Sequence, residues 1–316
     1  MLLARFVVVK LPSALKESIE AGWAGETVTE WIDRLPSRIA RAEQRWNVTI
    51  GDPYQPGGVT SVVAPATTST GDPAVYKITV PHDEAVGEAE ALAAYRGDGA
   101  VRILEAEIDS FEMLLERCSP GDSLWSIDSD RRRLDVACSL MRRLWRPLDE
   151  SGPIASLDTV ASRWADVTTR RISTYEHPWT PEPVERGIDL LRSLPATATE
   201  AVLLHGDFHP GNILESEREQ WLVIDPKPLV GDPAFEPVQL LTQRAGRIAE
   251  PPPPADVETR LVGIAERVGL DPTRVGLWTI ARSAEWSMWS WDHGNTVDAA
   301  IAYTWARTLD ALIPHG

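Results

Sequence analysis

Near residue 120 the spacing of apolar residues changes from that of strands to that of helices. This switch constrains the fold of the 316-residue chain more than any other feature. Before it, alternation and short apolar runs predict strands over residues 59–64, 74–80, 101–106 and 111–116. A helix is expected over 27–46, interrupted at Pro36, and another over about 81–95. After it, amphipathic periodicity predicts helices over about 129–146, 154–174, 182–194, 255–268, 273–291 and 296–313, with strand-like pieces at 201–204, 212–214 and 221–224. Strands crowded into the first third and helices after them imply an α+β chain. A small N-terminal antiparallel-sheet lobe with one main helix, residues 1–117, precedes a larger, mostly helical C-terminal lobe, residues 118–316. The loop-like stretch 51–58 and the proline run 251–254 read as surface connections.

Composition narrows the partners. A formal net charge of −16 argues against nucleic acid, whose binding rests on Lys and Arg neutralising phosphates. A cationic partner is easier to accept, and the substrate is read as small and cationic or hydroxylated, although acidity of this size also serves plain solubility. Cys118 and Cys138 are too few for a disulfide framework and read as reduced, structural thiols. The opening run, residues 1–12, lacks a basic leader and a small-residue cleavage site, and no stretch approaches a membrane-spanning length. A cytoplasmic protein without membrane contact, working as a monomer, is the expectation.

The chemistry concentrates in His205-Gly206-Asp207-Phe208-His209-Pro210-Gly211-Asn212, followed by the apolar run 221–224 and then Asp225-Pro226-Lys227-Pro228. An Asp and an Asn thus share one loop at D-x-x-x-x-N spacing, and a second Asp ends the next strand. Phosphoryl transfer needs this set: one carboxylate beside the attacking hydroxyl, and hard oxygen ligands to hold metal against the nucleotide phosphates. Asp207 is the candidate base, with Asn212 and Asp225 the candidate metal ligands.

These segments, with Gly231-Asp232-Pro233 after them, resemble the aminoglycoside phosphotransferases, and among them the streptomycin and hydroxyurea resistance kinases, over about residues 35–312. The resemblance implies a protein-kinase-like bilobal fold, ATP, and Mg²⁺ as two ions. It assigns Lys77, inside the apolar run 74–80, to the nucleotide phosphates, although a strand-edge lysine facing solvent fits the alternation too. Glu84, Glu88 and Glu90 are candidate partners. Glu88 best matches the family's E-x-x-x-L pattern, and Glu84 would share its helix face. Gly57, Gly58, Thr60 and Ser61 would form the nucleotide loop, although Gly-Gly before a strand is also an ordinary turn. Glu116 lies in the connector whose backbone would meet adenine. Lys227 would neutralise phosphate, or is a surface lysine. His205 is read as a brace of the loop, and His209 as loop packing or a substrate contact.

Substrate contacts are expected from the C-terminal helices, where Trp278, Trp286, Trp289, Trp291 and Trp305 accompany Glu285, Asp292 and Asp298. Glu285, Trp289 and Asp292 are the candidates, although tryptophans at helical spacing also read as core. The resemblance points to streptomycin as acceptor, with hydroxyurea or an unidentified small metabolite as alternatives. A catalytically inactive kinase-like binding protein would be expected to lack Lys77, Asp207, Asn212 or Asp225, and all four are present. A protein kinase is disfavoured, because no D-F-G or A-P-E segment occurs.

Overall fold

The structure, a computed structural model, describes residues 9–20, 27–148, 152–244 and 247–314. The first eight residues of the opening run lie outside them. The chain divides into two compact units, residues 1–121 and 122–316.

The first unit is built on a five-stranded antiparallel sheet in the order β1-β2-β3-β5-β4, from β1 (Val48–Ile50), β2 (Ser61–Thr68), β3 (Pro73–Thr79), β4 (Ile103–Glu107) and β5 (Glu112–Glu116). Helices α1 (Ser13–Glu20) and α2 (Thr27–Trp46) precede it, and α3 (Glu88–Tyr95) lies between β3 and β4. Val28, Trp31, Leu35 and Ala42 of α2 share one core cluster with Val62, Tyr76 and Ile78 of the sheet. That burial explains why α2 runs unbroken through Pro36, where an interruption was expected. The apolar stripe holds the helix although one backbone donor is missing. Pro65 is accommodated inside β2 because its carbonyl side faces Gly51, just past the end of β1, so the absent N–H removes no bond to β3. The helix expected from residue 81 begins only at Glu88. Residues Asp83–Ala85 form a separate 3-10 turn, and Gly87, at φ 88°, breaks the path between them.

The second unit contains α4 (Asp130–Leu144), α5 (Leu157–Thr174), α6 (Glu182–Ser193), a short α7 (Val238–Thr242), α8 (Pro254–Val268), α9 (Pro272–Asp292) and α10 (Thr296–Leu312). Helix α9 is its centre. It packs on α5, α6, α8 and α10 and buries Trp278, Ile280, Ala281, Ala284 and Met288 completely. Gly187 lets α6 approach closely, since a Cβ there would overlap that of Ala284. The proline run leads into α8, with Pro254 at the first helical position, where a missing N–H costs nothing.

Three small sheets carry the loops of interest. Strands β6 (Ala155–Ser156), β10 (Leu229–Gly231) and β7 (Val202–Leu204) form one sheet, with β10 in the middle. Strands β8 (Ile213–Glu215) and β9 (Trp221–Val223) form a hairpin, and β11 (Gln243–Arg244) pairs with β12 (Arg247–Ile248). Among the described residues no helix is long and apolar enough to cross a membrane.

Candidate active site

In the first unit, Lys77 sits on the middle strand of the sheet, opposite Val63 on one side and Met113 on the other. It is not an edge lysine. Its Nζ lies 2.6 Å from Glu88 Oε1, and both residues are 5% exposed. An ammonium buried that deeply must be paired, and the first position of α3 favours a carboxylate through the helix dipole. Glu84 falls in the exposed 3-10 turn and does not share a helix face with Glu88.

The glycine loop is shaped by its own unit. Gly57 has φ +75°, and a Cβ on it would stand 2.5 Å from that of Pro12. The backbone of Pro56 accepts from Ala14 N at 3.1 Å, so the segment entering α1 clamps the loop. Thr60 accepts from Val80 N at 2.9 Å through its carbonyl, and Ser61 is buried at the start of β2. Glu116 ends β5. Its amide donates to Arg102 O at 2.8 Å, and its carboxylate accepts from Arg102 N at 2.9 Å.

In the second unit, β7 delivers the chain to His205. The fully buried imidazole is anchored through Nε2 to Ile224 O at 2.9 Å, and its Nδ1 accepts from Asp207 N at 3.2 Å. It thereby braces the loop against the end of β9. Asn212 donates through Nδ2 to Asp207 O at 3.0 Å and Asp207 Oδ2 at 3.4 Å. Its own carbonyl accepts from Ile224 N at 2.9 Å, which places the segment that ends in Asp225 beside the loop. Lys227 Nζ is 3.1 Å from Asp207 Oδ2, and His209 Nε2 is 3.8 Å from Oδ1. The structure therefore brings Asp207, Asn212, Lys227 and His209 together.

Electrostatics assigns their charge states. Burial alone would raise the Asp207 carboxyl, but Lys227 and the two histidines outweigh it and hold the group at about 2, so it is a carboxylate at any working pH. Burial pushes His205 down to about 4 and also lowers His209. Both are therefore neutral rings at pH 7. His209 Nδ1 accepts from Gly211 N at 3.0 Å, capping the 3-10 turn Pro210–Asn212, so its proton resides on Nε2.

Mg²⁺ takes oxygen ligands and keeps several waters, using one or two side chains plus substrate phosphates. Asn212 and Asp225 fit it. With Nδ2 turned to Asp207, the Asn212 carbonyl oxygen remains as a hard donor, and Asp225, in the left-handed region at φ 59°, turns the chain as it leaves β9.

Of the candidate substrate residues, Glu285, Asp292 and Trp289 have partners within the second unit. Glu285 is buried and paired with Arg282 at 2.7 Å, and Arg282 lies over the Trp164 ring at 3.8 Å. Asp292 pairs with Arg171 at 2.8 Å. Trp289 stacks between Trp286 and His293. A cationic substrate would have to compete with an arginine for either carboxylate.

Sequence reasoning missed Glu236, a fully buried carboxylate whose two oxygens accept from His205 N at 2.6 Å and Gly206 N at 2.9 Å. An acid inside the apolar stretch Ala234-Phe235-Glu236-Pro237-Val238 was the available signal. Gly206 is equally constrained: φ is +76°, and a Cβ would overlap the Lys227 carbonyl oxygen. Gly206→Ala is expected to displace residue 227 or the loop, lowering stability by about 1–3 kcal/mol or more in thermal unfolding and reducing turnover with it.

A family model for aminoglycoside/hydroxyurea antibiotic resistance kinases matches residues 45–294. A hydroxyurea phosphotransferase of Kitasatospora aureofaciens is 34% identical, over 91% of this chain and 82% of its own. A streptomycin 6-kinase of Streptomyces glaucescens is 30% identical, over 96% of this chain and 97% of its own. Among solved structures, an aminoglycoside phosphotransferase in complex with AMP-PNP and hygromycin B superposes with a TM-score of 0.61 at 17% identity, covering 86% of this chain and 97% of that one. The fold is protein-kinase-like, and the protein is a phosphotransferase with a hydroxyl group as acceptor. Within that class, the chain belongs to the aminoglycoside/hydroxyurea antibiotic resistance kinase family.

Proposed function

We propose that the protein transfers the γ-phosphoryl group of ATP to a hydroxyl of streptomycin, with Asp207 as the base. The observation that carries the mechanism is the Asp207 carboxylate held by Asn212 and Lys227 on a loop braced by His205. Kept ionised by Lys227, Asp207 accepts a hydrogen bond from the acceptor hydroxyl, aims its oxygen in line with phosphorus and takes the proton late. Because the transition state is loose, positioning and neutralisation contribute more than base strength. Lys227, 3.1 Å from Asp207 Oδ2, would neutralise charge on the phosphoryl oxygens. Asn212 and Asp225 would hold Mg²⁺, as two ions in the fullest form of the site, and the metal supplies neutralisation of the phosphates. Lys77, fixed by Glu88, binds the α- and β-phosphates.

Streptomycin is favoured because the streptomycin 6-kinase relative aligns over nearly its whole length. Hydroxyurea is the second reading, from the 34% identical phosphotransferase. Competition assays with streptomycin, other aminoglycosides and hydroxyurea as acceptors decide between them. Streptomycin should give the highest kcat/KM, and saturable turnover of hydroxyurea alone would transfer the assignment. Asp225→Ala is expected to raise the Mg²⁺ concentration needed for half-maximal ATP binding by about tenfold or more, read by titration with a fluorescent ATP analogue. Unchanged Mg²⁺ dependence would remove Asp225 from the metal site.

A further inference from the structure

We propose that Glu236 is a positioning residue for phosphoryl transfer, its carboxylate fixing the peptide groups of His205 and Gly206 and thereby aiming Asp207. The proposal rests on the reading of Asp207 as the base. The two bonds, at 2.6 and 2.9 Å, engage one oxygen each and end on the residues immediately before Asp207. The opposite side of the same segment is held by backbone. His205 O accepts from Lys227 N at 2.8 Å, and the Lys227 carbonyl fills the space beside Gly206. Residues 205–206 are thus clamped between Glu236 and residue 227, and Asp207 inherits their orientation.

Glu236 is itself held from the helical core. Asp232 caps the turn Pro233–Phe235 by accepting from Ala234 N at 3.0 Å. Its other oxygen accepts from Arg274 Nε and Trp278 Nε1 of α9, each at 2.6 Å. A continuous path of hydrogen bonds and short backbone therefore runs from α9 through Asp232 and Glu236 to the catalytic loop. A buried acid that served only to fill space would be an expensive choice, since an apolar side chain avoids its desolvation.

The protonation state matters to this role. Burial raises the Glu236 carboxyl to about 7; the His205 and Gly206 amides oppose the shift, and the Asp207 charge adds to it. An ionised carboxylate offers an acceptor to each amide, whereas protonation weakens one bond and loosens the clamp. Asp207, at about 2, and His205, at about 4, do not titrate near pH 7, and His209 lies below its ordinary value. Activity should accordingly rise with pH through about 7.

The test compares wild type, Glu236→Gln and Asp207→Asn, with MgATP and streptomycin, across pH 5.5 to 9. Glu236→Gln, which turns an amide N–H toward a backbone N–H, should lower kcat about 10- to 100-fold with KM for ATP within about threefold, and should lose the acid limb near pH 7. Glu236→Asp keeps the charge but retreats by one methylene. It should retain the limb at reduced kcat, and it carries the test should the Gln variant not fold. A reading independent of turnover comes from the amide resonances of His205, Gly206 and Asp207. In wild type these should titrate together near pH 7, and in the variant that folds all three should be displaced. Wild-type kcat in Glu236→Gln beside an inactive Asp207→Asn, or an unmoved Asp207 resonance, overturns the proposal. An active Asp207→Asn overturns instead the base assignment on which it rests.

Discussion

Asp207→Asn is expected to lower kcat about a thousandfold while leaving ATP binding nearly unchanged. The replacement keeps shape and one acceptor oxygen but removes the charge that Lys227 faces at 3.1 Å and the base that takes the hydroxyl proton. ATP affinity should survive because Lys77, proposed to hold its phosphates, belongs to the first unit, and the replacement leaves in place the backbone carbonyl to which Asn212 Nδ2 donates at 3.0 Å. Steady-state kinetics, with nucleotide titration of the same preparation, separates the two effects. A folded variant with near-normal kcat would return the loop to a structural role.

Lys77→Met is expected to cost about 3–5 kcal/mol of stability, because it strands a carboxylate that is 5% exposed. The ion pair itself need not be strongly stabilising, since desolvating both charges offsets much of their attraction; breaking it is the expensive event. Adding Glu88→Gln to Lys77→Met should therefore recover a large part of the loss, measured by denaturant unfolding. Activity should not return with it, since the ammonium proposed to hold the phosphates is still missing. Recovery of both would mean that Lys77 serves only the fold.

The same local-versus-distant contrast decides how much was legible in the sequence. The α+β class could be read from the change in periodicity near residue 120, and the protein-kinase-like fold from the family resemblance carried by residues 205–212 and 225–233, because both are local patterns. The pairing of Lys77 with Glu88 spans eleven residues and connects a strand to the next helix, so a motif reaches it. Glu236 was missed because its partners lie about thirty residues away, and no spacing rule joins them. Strand β10 was missed for a related reason. Its three residues, Leu229–Gly231, are too short for alternation to register, and its ladders run to residues 155–156 and 202–204. Pro36 and Gly87 misled in opposite directions. A buried apolar stripe carried α2 through its proline, whereas one left-handed glycine detached Asp83–Ala85 from α3. On the substrate side, the ion pairs of Glu285 with Arg282 and of Asp292 with Arg171 were not legible, because the second joins residues more than a hundred positions apart and the first is one of several helical spacings the sequence allows.

The most direct measurement of the central claim is Mg²⁺-dependent release of ADP from ATP in the presence and absence of streptomycin, run side by side for wild type and Asp207→Asn, with the streptomycin product isolated. Streptomycin should stimulate ADP release in wild type alone and emerge carrying one phosphoryl group. Equal ADP release by both proteins, or stimulation without phosphorylated streptomycin, would contradict Asp207-dependent transfer to that acceptor.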